Sequence, residues 1–226
     1  MRTTLFATSL LALAIAAPSV QAHQAGDIIV RAGAITVQTK ENTSSIKLDR
    51  PASADLGGKA TLGNDTQLGL NFAYMLTDHF GVELLAASPF KHDVAIKGTA
   101  GGIADGKLGS LKHLPPTLSA VFYPLDSKSA FQPYVGAGVT YTWFFDEKVG
   151  SSATAAGFDN FRVNNTWGWA AQVGADYMLT DNIMLNGQIR YIDIDTTAYV
   201  NYGSNRAKVN VDVEPLVYMV GLGYKF

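Results

Sequence analysis

Leu216-Val217-Tyr218-Met219-Val220-Gly221-Leu222-Gly223-Tyr224-Lys225-Phe226 closes the chain. Leu216, Tyr218, Val220, Leu222, Tyr224 and Phe226 fall on one face of this stretch, and Val217, Met219, Gly221, Gly223 and Lys225 on the other. A period of two is the period of a β-strand. The solvent face of a soluble sheet normally carries charge. Here one face is uninterruptedly large and apolar, and the stretch ends on aromatics. That pattern suits a strand whose outer face meets lipid and whose end lies in an interfacial aromatic girdle.

The same alternation recurs upstream. Val135, Ala137, Val139, Tyr141 and Trp143 alternate with Gly136, Gly138, Thr140 and Thr142; Trp167 to Leu179 and Leu68 to Leu76 behave alike. Eight such segments are expected, at 26–37, 64–76, 80–90, 113–124, 131–145, 166–179, 182–195 and 209–226. Most exceed the roughly 9–11 residues a tilted strand needs to cross a bilayer. Short connections near residues 78, 125–130 and 181 alternate with long ones at 38–63, 91–112, 146–165 and 196–208, rich in Gly, Ser, Ala and Asp. The expected fold is all-β: an eight-stranded antiparallel transmembrane β-barrel with short periplasmic turns and long extracellular loops. The alternation slips around Ile192–Asp195 and at Pro215, where bulges are expected.

The N-terminus gives the compartment. A basic start at Arg2, an apolar run from Leu5 to Ala17 and the small-residue ending Val20-Gln21-Ala22 describe a signal peptide over 1–22, leaving the barrel as 23–226. No later stretch approaches 18 consecutive apolar residues, so no transmembrane helix is expected. The chain has no cysteine, which removes thiol catalysis and thiolate metal sites, and its formal net charge of −2 offers nothing to nucleic acid.

No nucleophile elbow, dinucleotide fingerprint or zinc-protease motif is present, so no catalytic residue, cofactor or metal is expected. The histidines, His23, His79, His92 and His113, are scattered in sequence, and Asp193 with Asp195 reads as a solvated rim. The inward faces divide into two zones. Mid-barrel and below lie Arg31, Asn71, Glu83, Ser119, Gln172, Asp176, Asn186, Gln188 and Lys225, from which Arg31, Glu83, Asp176 and Lys225 are expected to form a charged floor. Charges of both signs in so narrow a lumen must pair. Nearer the outer end lie Ile35, Gly69, Leu85, Ala87, Thr117, Thr140, Ala170 and Ile192, with Arg190 out of character among them. This smaller, more apolar set either packs the lumen or lines a cup for a greasy ligand; the residues alone leave both open. A ligand stopped by the floor would leave sideways through the wall, where Pro89, Pro115 and Pro116 remove ladder donors.

Several segments resemble the OmpW family of small outer-membrane proteins. They are His23-Gln24-Ala25-Gly26-Asp27 with Arg31-Ala32-Gly33, Asn64 to Leu70, Gly81 to Ala87 with Pro89-Phe90, His113 to Thr117, Pro133 to Gly138, and Asp193 to Ala198. The resemblance implies an eight-stranded barrel that passes small hydrophobic molecules across the outer membrane, and favours the cup over mere packing. A surface receptor, adhesin or envelope-stabilising role is the alternative it leaves. Tyr224 and Phe226 resemble the terminal assembly signal of such barrels. The implied partners are membrane lipids, lipopolysaccharide, small hydrophobic molecules and the barrel-assembly machinery.

Overall fold

The computed structural model describes residues 21–50, 54–102 and 105–226, so the expected signal peptide lies outside the described residues except for Gln21 and Ala22. The strands, in chain order, are β1 (Ile28–Gln38), β2 (Glu41–Thr43), β3 (Ile46–Arg50), β4 (Ala54–Leu62), β5 (Asp65–Met75), β6 (Phe80–Ala87), β7 (Phe90–Thr99) and β8 (Gly106–Leu114). They continue as β9 (Thr117–Phe122), β10 (Phe131–Val149), β11 (Phe158–Val163), β12 (Thr166–Met178), β13 (Ile183–Tyr202), β14 (Asn205–Val213) and β15 (Leu216–Lys225).

Eight of these close a ring. β1 pairs with β5, then β6, β9, β10, β12, β13 and β15 follow, and β15 returns to β1, every pair antiparallel. Closure removes free strand edges, which hydrocarbon does not tolerate. Along each wall strand the expected faces are observed. Leu68, Leu70, Phe72, Leu84, Leu118, Val135, Val139, Val173, Ile189, Val220 and Leu222 stand exposed on the outside. Tyr74, Phe80, Phe122, Phe131, Tyr177, Tyr224 and Phe226 gather near the short turns, and Trp143, Trp167 and Trp169 near the other end. An exposed apolar band between two aromatic belts is a surface built for a bilayer. Phe226 lies edge-on to Tyr224 at 4.7 Å, and its backbone N–H donates to the carbonyl of Ile28, so the chain's last residue is still part of the wall.

The long connections differ from expectation. They are not irregular loops but a second sheet, running β10–β8–β7–β4–β3–β14–β13, with β11 on β13 and β2 on β14. β10 and β13 belong to both sheets, with 19 and 20 residues. At about 3.4 Å per residue each is on the order of 65 Å long, far more than a roughly 25 Å apolar band needs even when tilted. The barrel wall therefore continues beyond the membrane as a collar. The segments expected at 113–124 and 209–226 are each two strands, broken at Pro115-Pro116 and at Pro215, one belonging to the collar and one to the wall.

The polarity of the alternation inverts between wall and collar. In the wall the outer face is apolar and the inner face polar or small. In the collar Val94, Ile96, Leu108, Leu111, Val211 and Val213 point inward, buried, while Lys91, Asp93, Asn210 and Asp212 face out. Above the bilayer the outer face meets water, so the inner face must supply the core. This explains the apparent slip at Ile192–Asp195. β13 runs through it without a break, Ile192 and Ile194 remain inward, and only the surroundings change. A true irregularity occurs elsewhere: Asp146 sits in the left-handed region (φ 53°) where the β10–β8 register shifts, its carboxylate bound to Lys112 and Lys148 at 2.9 and 2.8 Å.

Candidate functional site

The lumen contains a sealed floor. Arg31 on β1 forms a fork with Asp176 on β12, Nε to Oδ1 at 3.0 Å and Nη2 to Oδ2 at 2.5 Å, and Nη2 also donates to the Tyr123 hydroxyl at 2.8 Å. Its Nη1 reaches Asn71 at 3.2 Å and Glu83 at 3.4 Å. Asp176 accepts further bonds from Asn186 and His23, both at 2.8 Å. Glu83 on β6 accepts Gln172 at 2.8 Å and Arg190 at 2.6 Å, and Arg190 also donates to Gln172. Two guanidinium groups and two carboxylates thus balance, all within 1 % of complete burial. Bidentate, charge-assisted bonds of this kind are the strong ones.

Two expectations need correction. Arg190 belongs to the floor and not to the cup, because its head turns toward Glu83 and Gln172. Lys225, expected in the floor, lies below it. Its Nζ donates to the carbonyls of Gln21 and Ala22 at 2.7 and 2.6 Å and stands 3.7 Å from Asp27. Between Lys225 and the floor is an apolar layer that the alternation alone did not single out, formed by Ile29, Met75, Tyr123, Tyr134, Met178 and Met184. Glycines make room for these large groups. A Cβ on Gly174 would meet the Tyr134 ring at 2.5 Å, and one on Gly223 would meet the Met184 and Arg31 side chains at 2.7 and 3.0 Å.

Above the floor, Ile35, Leu85, Ala170 and Ile192 are inward and buried as expected, and Ala87 is half-buried. They do not end in an open cup. They join one continuous apolar cluster that climbs through Val37, Ile194, Val213, Leu111 and Val94 to Phe161 and Ala198 in the collar. Three small voids lie along this column. The upper lining residues stand in segments that composition marked as connectors. The signal that finds them is the short alternations Val209-Val211-Val213 and His92-Val94-Ile96.

Thr117 and Thr140 are buried as expected, and their hydroxyls are already bonded. Thr117 Oγ1 donates to the Pro115 carbonyl at 3.0 Å, and Thr140 Oγ1 to that of Pro116 at 3.2 Å. They pin the rim of an interruption in the wall. The β6–β9 ladder stops at Leu85↔Thr117, and the β7–β8 ladder begins at Phe90↔His113. Ala86 to Pro89 thus face Leu114 to Pro116 without a ladder pair between them. The break at Pro215 is smaller, since Ile192 N–H donates to the Pro215 carbonyl across it.

His92 and His113, far apart in expectation, meet on β7 and β8 with their Nε2 atoms 2.8 Å apart. Phe90 and Phe144 flank the His113 ring at 5.4 and 5.8 Å. Burial disfavours the charged ring, His92 adds to the effect, and His113 is pulled down to about 3. An unfolded histidine titrates near 6.5. Between these values the unfolded chain binds more protons, so the stability is fully present above about pH 6.5 and is lost as pH falls toward 3. Taking the protein from pH 7 to pH 5 should weaken the β7–β8 hairpin by about 2 kcal/mol, at roughly 1.4 kcal/mol per unit. Amide exchange in Phe90–Leu114, corrected for intrinsic rates, is the measurement; equal acid sensitivity in His113→Phe would assign the effect elsewhere. Asp193 and Asp195 do not act together: Asp193 accepts the Trp169 indole N–H at 2.5 Å, and Asp195 faces Asp212 across the ladder. No cluster of three potential metal ligands occurs among the described residues.

Comparison with known proteins places this geometry. The model of the family described as "OmpW family" matches residues 24–226. Outer membrane protein W of Vibrio cholerae serotype O1 is 39 % identical over 226 residues, the full length of both chains. The crystal structure of the outer membrane protein OprG from Pseudomonas aeruginosa superposes with a TM-score of 0.85 at 50 % identity, covering 92 % of this chain and 99 % of that one. The dibenzothiophene metabolism operon protein PahQ of Pseudomonas aeruginosa is 28 % identical over 170 residues, 75 % of this chain and 76 % of its own. The lumen described above is that of a bacterial outer-membrane β-barrel that is not an enzyme.

Proposed function

The chain belongs to the OmpW family, and on that premise we propose that it gives small hydrophobic molecules a passive route through the outer membrane: in at the collar, down the apolar column, and out sideways into the bilayer. The observation that carries this reading is the apolar column standing directly on a paired, neutral floor, with the wall unladdered beside it between Ala86–Pro89 and Leu114–Pro116. A greasy molecule crossing the floor would break several buried charge-assisted bonds, each worth about 1.5–3 kcal/mol. Leaving through the unladdered wall keeps it in apolar surroundings throughout. A relative whose name ties it to dibenzothiophene metabolism accords with an apolar cargo.

In this reading Ile35, Leu85, Ala87, Ala170 and Ile192 form the base of the column, and Thr117 with Thr140 hold the rim of the exit. Cleavage after Ala22 removes the two carbonyls on Lys225 and leaves Asp27 as its neighbour. Phe226 is offered to the barrel-assembly machinery, and the exposed lysines Lys91 and Lys97 face lipopolysaccharide head groups.

The test is uptake of a hydrophobic fluorescent probe by cells carrying the protein. Leu85→Asp puts an unpaired charge at the base of the column and should lower the protein-dependent rate about tenfold or more while the barrel still folds. Replacing Pro115 and Pro116 together by alanine restores two backbone donors at the rim and should slow the exit, with binding in the column kept. A folded Leu85→Asp protein with undiminished uptake would remove the column from the route.

A further inference from the structure

The lowest void of the column has both histidines in its wall. The remaining lining is almost wholly apolar, including Val37, Leu111, Phe144, Val213 and Pro215. The hydroxyl of Thr39, also in the wall, donates to the Leu62 carbonyl at 3.1 Å. His113 Nδ1 is shut away from solvent and has no hydrogen-bond partner. A buried polar atom without a partner costs free energy until something supplies one.

The sign of that atom follows from its neighbour. His92 Nδ1 lies 2.5 Å from the carbonyl of Gly63, which can only accept, so His92 carries a proton on Nδ1. In the neutral pair His92 Nε2 is then an acceptor, and His113 donates to it from Nε2. That leaves His113 Nδ1 as a buried, bare lone pair on a ring that lines the apolar void, and the low pKa of His113 keeps it bare at neutral pH. The rings of Phe90 and Phe144 fix the imidazole in place. The void also lies beside the unladdered wall, since His113 directly precedes Leu114-Pro115-Pro116.

We propose that this void is a selective binding site for apolar molecules carrying one hydroxyl group, such as simple phenols and alcohols, with the hydroxyl donating to His113 Nδ1 and the carbon skeleton between Phe144 and Val213. The proposal rests on the reading of the lumen as an apolar binding column. It adds a preference: a hydroxylated molecule is held at the exit longer than a hydrocarbon of the same shape, and a molecule with acceptors alone gains nothing.

Phenol and toluene make the test, because they differ by hydroxyl against methyl at nearly equal size. Full-length protein in lipid nanodiscs, with ¹⁵N-labelled histidine and ¹³C-labelled valine methyls, is titrated with each. The Val213 methyl signals report occupancy, and the His113 Nδ1 signal reports the hydrogen bond. Phenol should shift the Nδ1 resonance and toluene should not. The ratio of toluene to phenol half-saturation concentrations should fall by about two- to tenfold in His113→Phe, the worth of one neutral hydrogen bond. Comparing ratios cancels the different partitioning of the probes into lipid. Should His113→Phe not fold, the Nδ1 shift in the unaltered protein decides alone. An unmoved Nδ1, or an unchanged ratio, with both probes perturbing Val213 overturns the hydroxyl site and leaves the apolar column standing. No perturbation of Val213 by either probe overturns both.

Discussion

Arg31→Leu is expected to destabilise the folded barrel by about 3–5 kcal/mol, the cost of breaking a buried pair by removing one partner. Arg31 supplies the fork on Asp176 and also reaches Asn71, Glu83 and Tyr123. Without it, two carboxylates share a closed lumen with one guanidinium, that of Arg190, whose contacts lie on Glu83 and not on Asp176. Asn186 and His23 cannot replace a fork. Removing both members, Arg31→Leu with Asp176→Leu, should recover much of the loss, because no uncompensated charge remains. Urea unfolding in phospholipid vesicles gives the difference. A single variant within about 1 kcal/mol of the parent would mean that the floor is wet or rearranges, and is no barrier to passage.

The second large effect concerns the seam where the first wall strand meets the last. Gly33 and Gly221 are direct partners across β1 and β15. A Cβ on Gly33 would lie 2.1 Å from the Val220 carbonyl oxygen and 2.5 Å from the Gly221 Cα, and one on Gly221 would lie 2.2 Å from the Ala32 oxygen. These are backbone atoms on both sides, so no rotamer change relieves the clash. Gly33→Val must push the two strands apart at the one ladder that closes the ring. Overpacking a core costs about 1–3 kcal/mol, and parting a ladder adds to that. The expected result is at least about 3 kcal/mol of destabilisation and a mostly unfolded population in heat-modifiability gels. Gly187→Val is the control, since Gly187 is exposed on the outside with nothing within 4 Å of its Cβ position. Equal behaviour of the two variants would contradict the seam's geometry.

Much of the lumen was legible before any coordinates. Arg31, Asn71, Glu83, Ser119, Gln172, Asp176, Asn186 and Gln188 all point inward and are buried, because a residue's face in a strand depends only on parity. Ile35, Leu85, Ala170 and Ile192 followed from the same rule. Height along the barrel was less legible. Arg190 stood among apolar neighbours in the alternation, yet its long side chain reaches down to Glu83, 107 positions away. Lys225 is inward as expected, but one apolar layer separates it from the other charges.

The collar is the largest departure. Gly, Ser and Asp in 38–63, 91–112, 146–165 and 196–208 suggested loose connectors, and Lys and Asp on their outer faces hid the valines between them. Alternation was present there too, with its polarity reversed, and reversal reads as a slip when the membrane face is taken as the reference. The same reversal marks where the bilayer ends.

What the sequence by itself determined is therefore the set of faces: which residues meet lipid, which enter the lumen, and that the chain closes as eight strands. Side-chain direction is local, fixed by pleat and parity within one strand. Which inward residues become partners was decided only by the tertiary structure. The fork between Arg31 and Asp176, the meeting of His92 with His113 and the unladdered wall at Pro115-Pro116 all depend on inter-strand register. Register is a non-local property: it is set by ring closure and strand stagger, and a period of two contains no information about either.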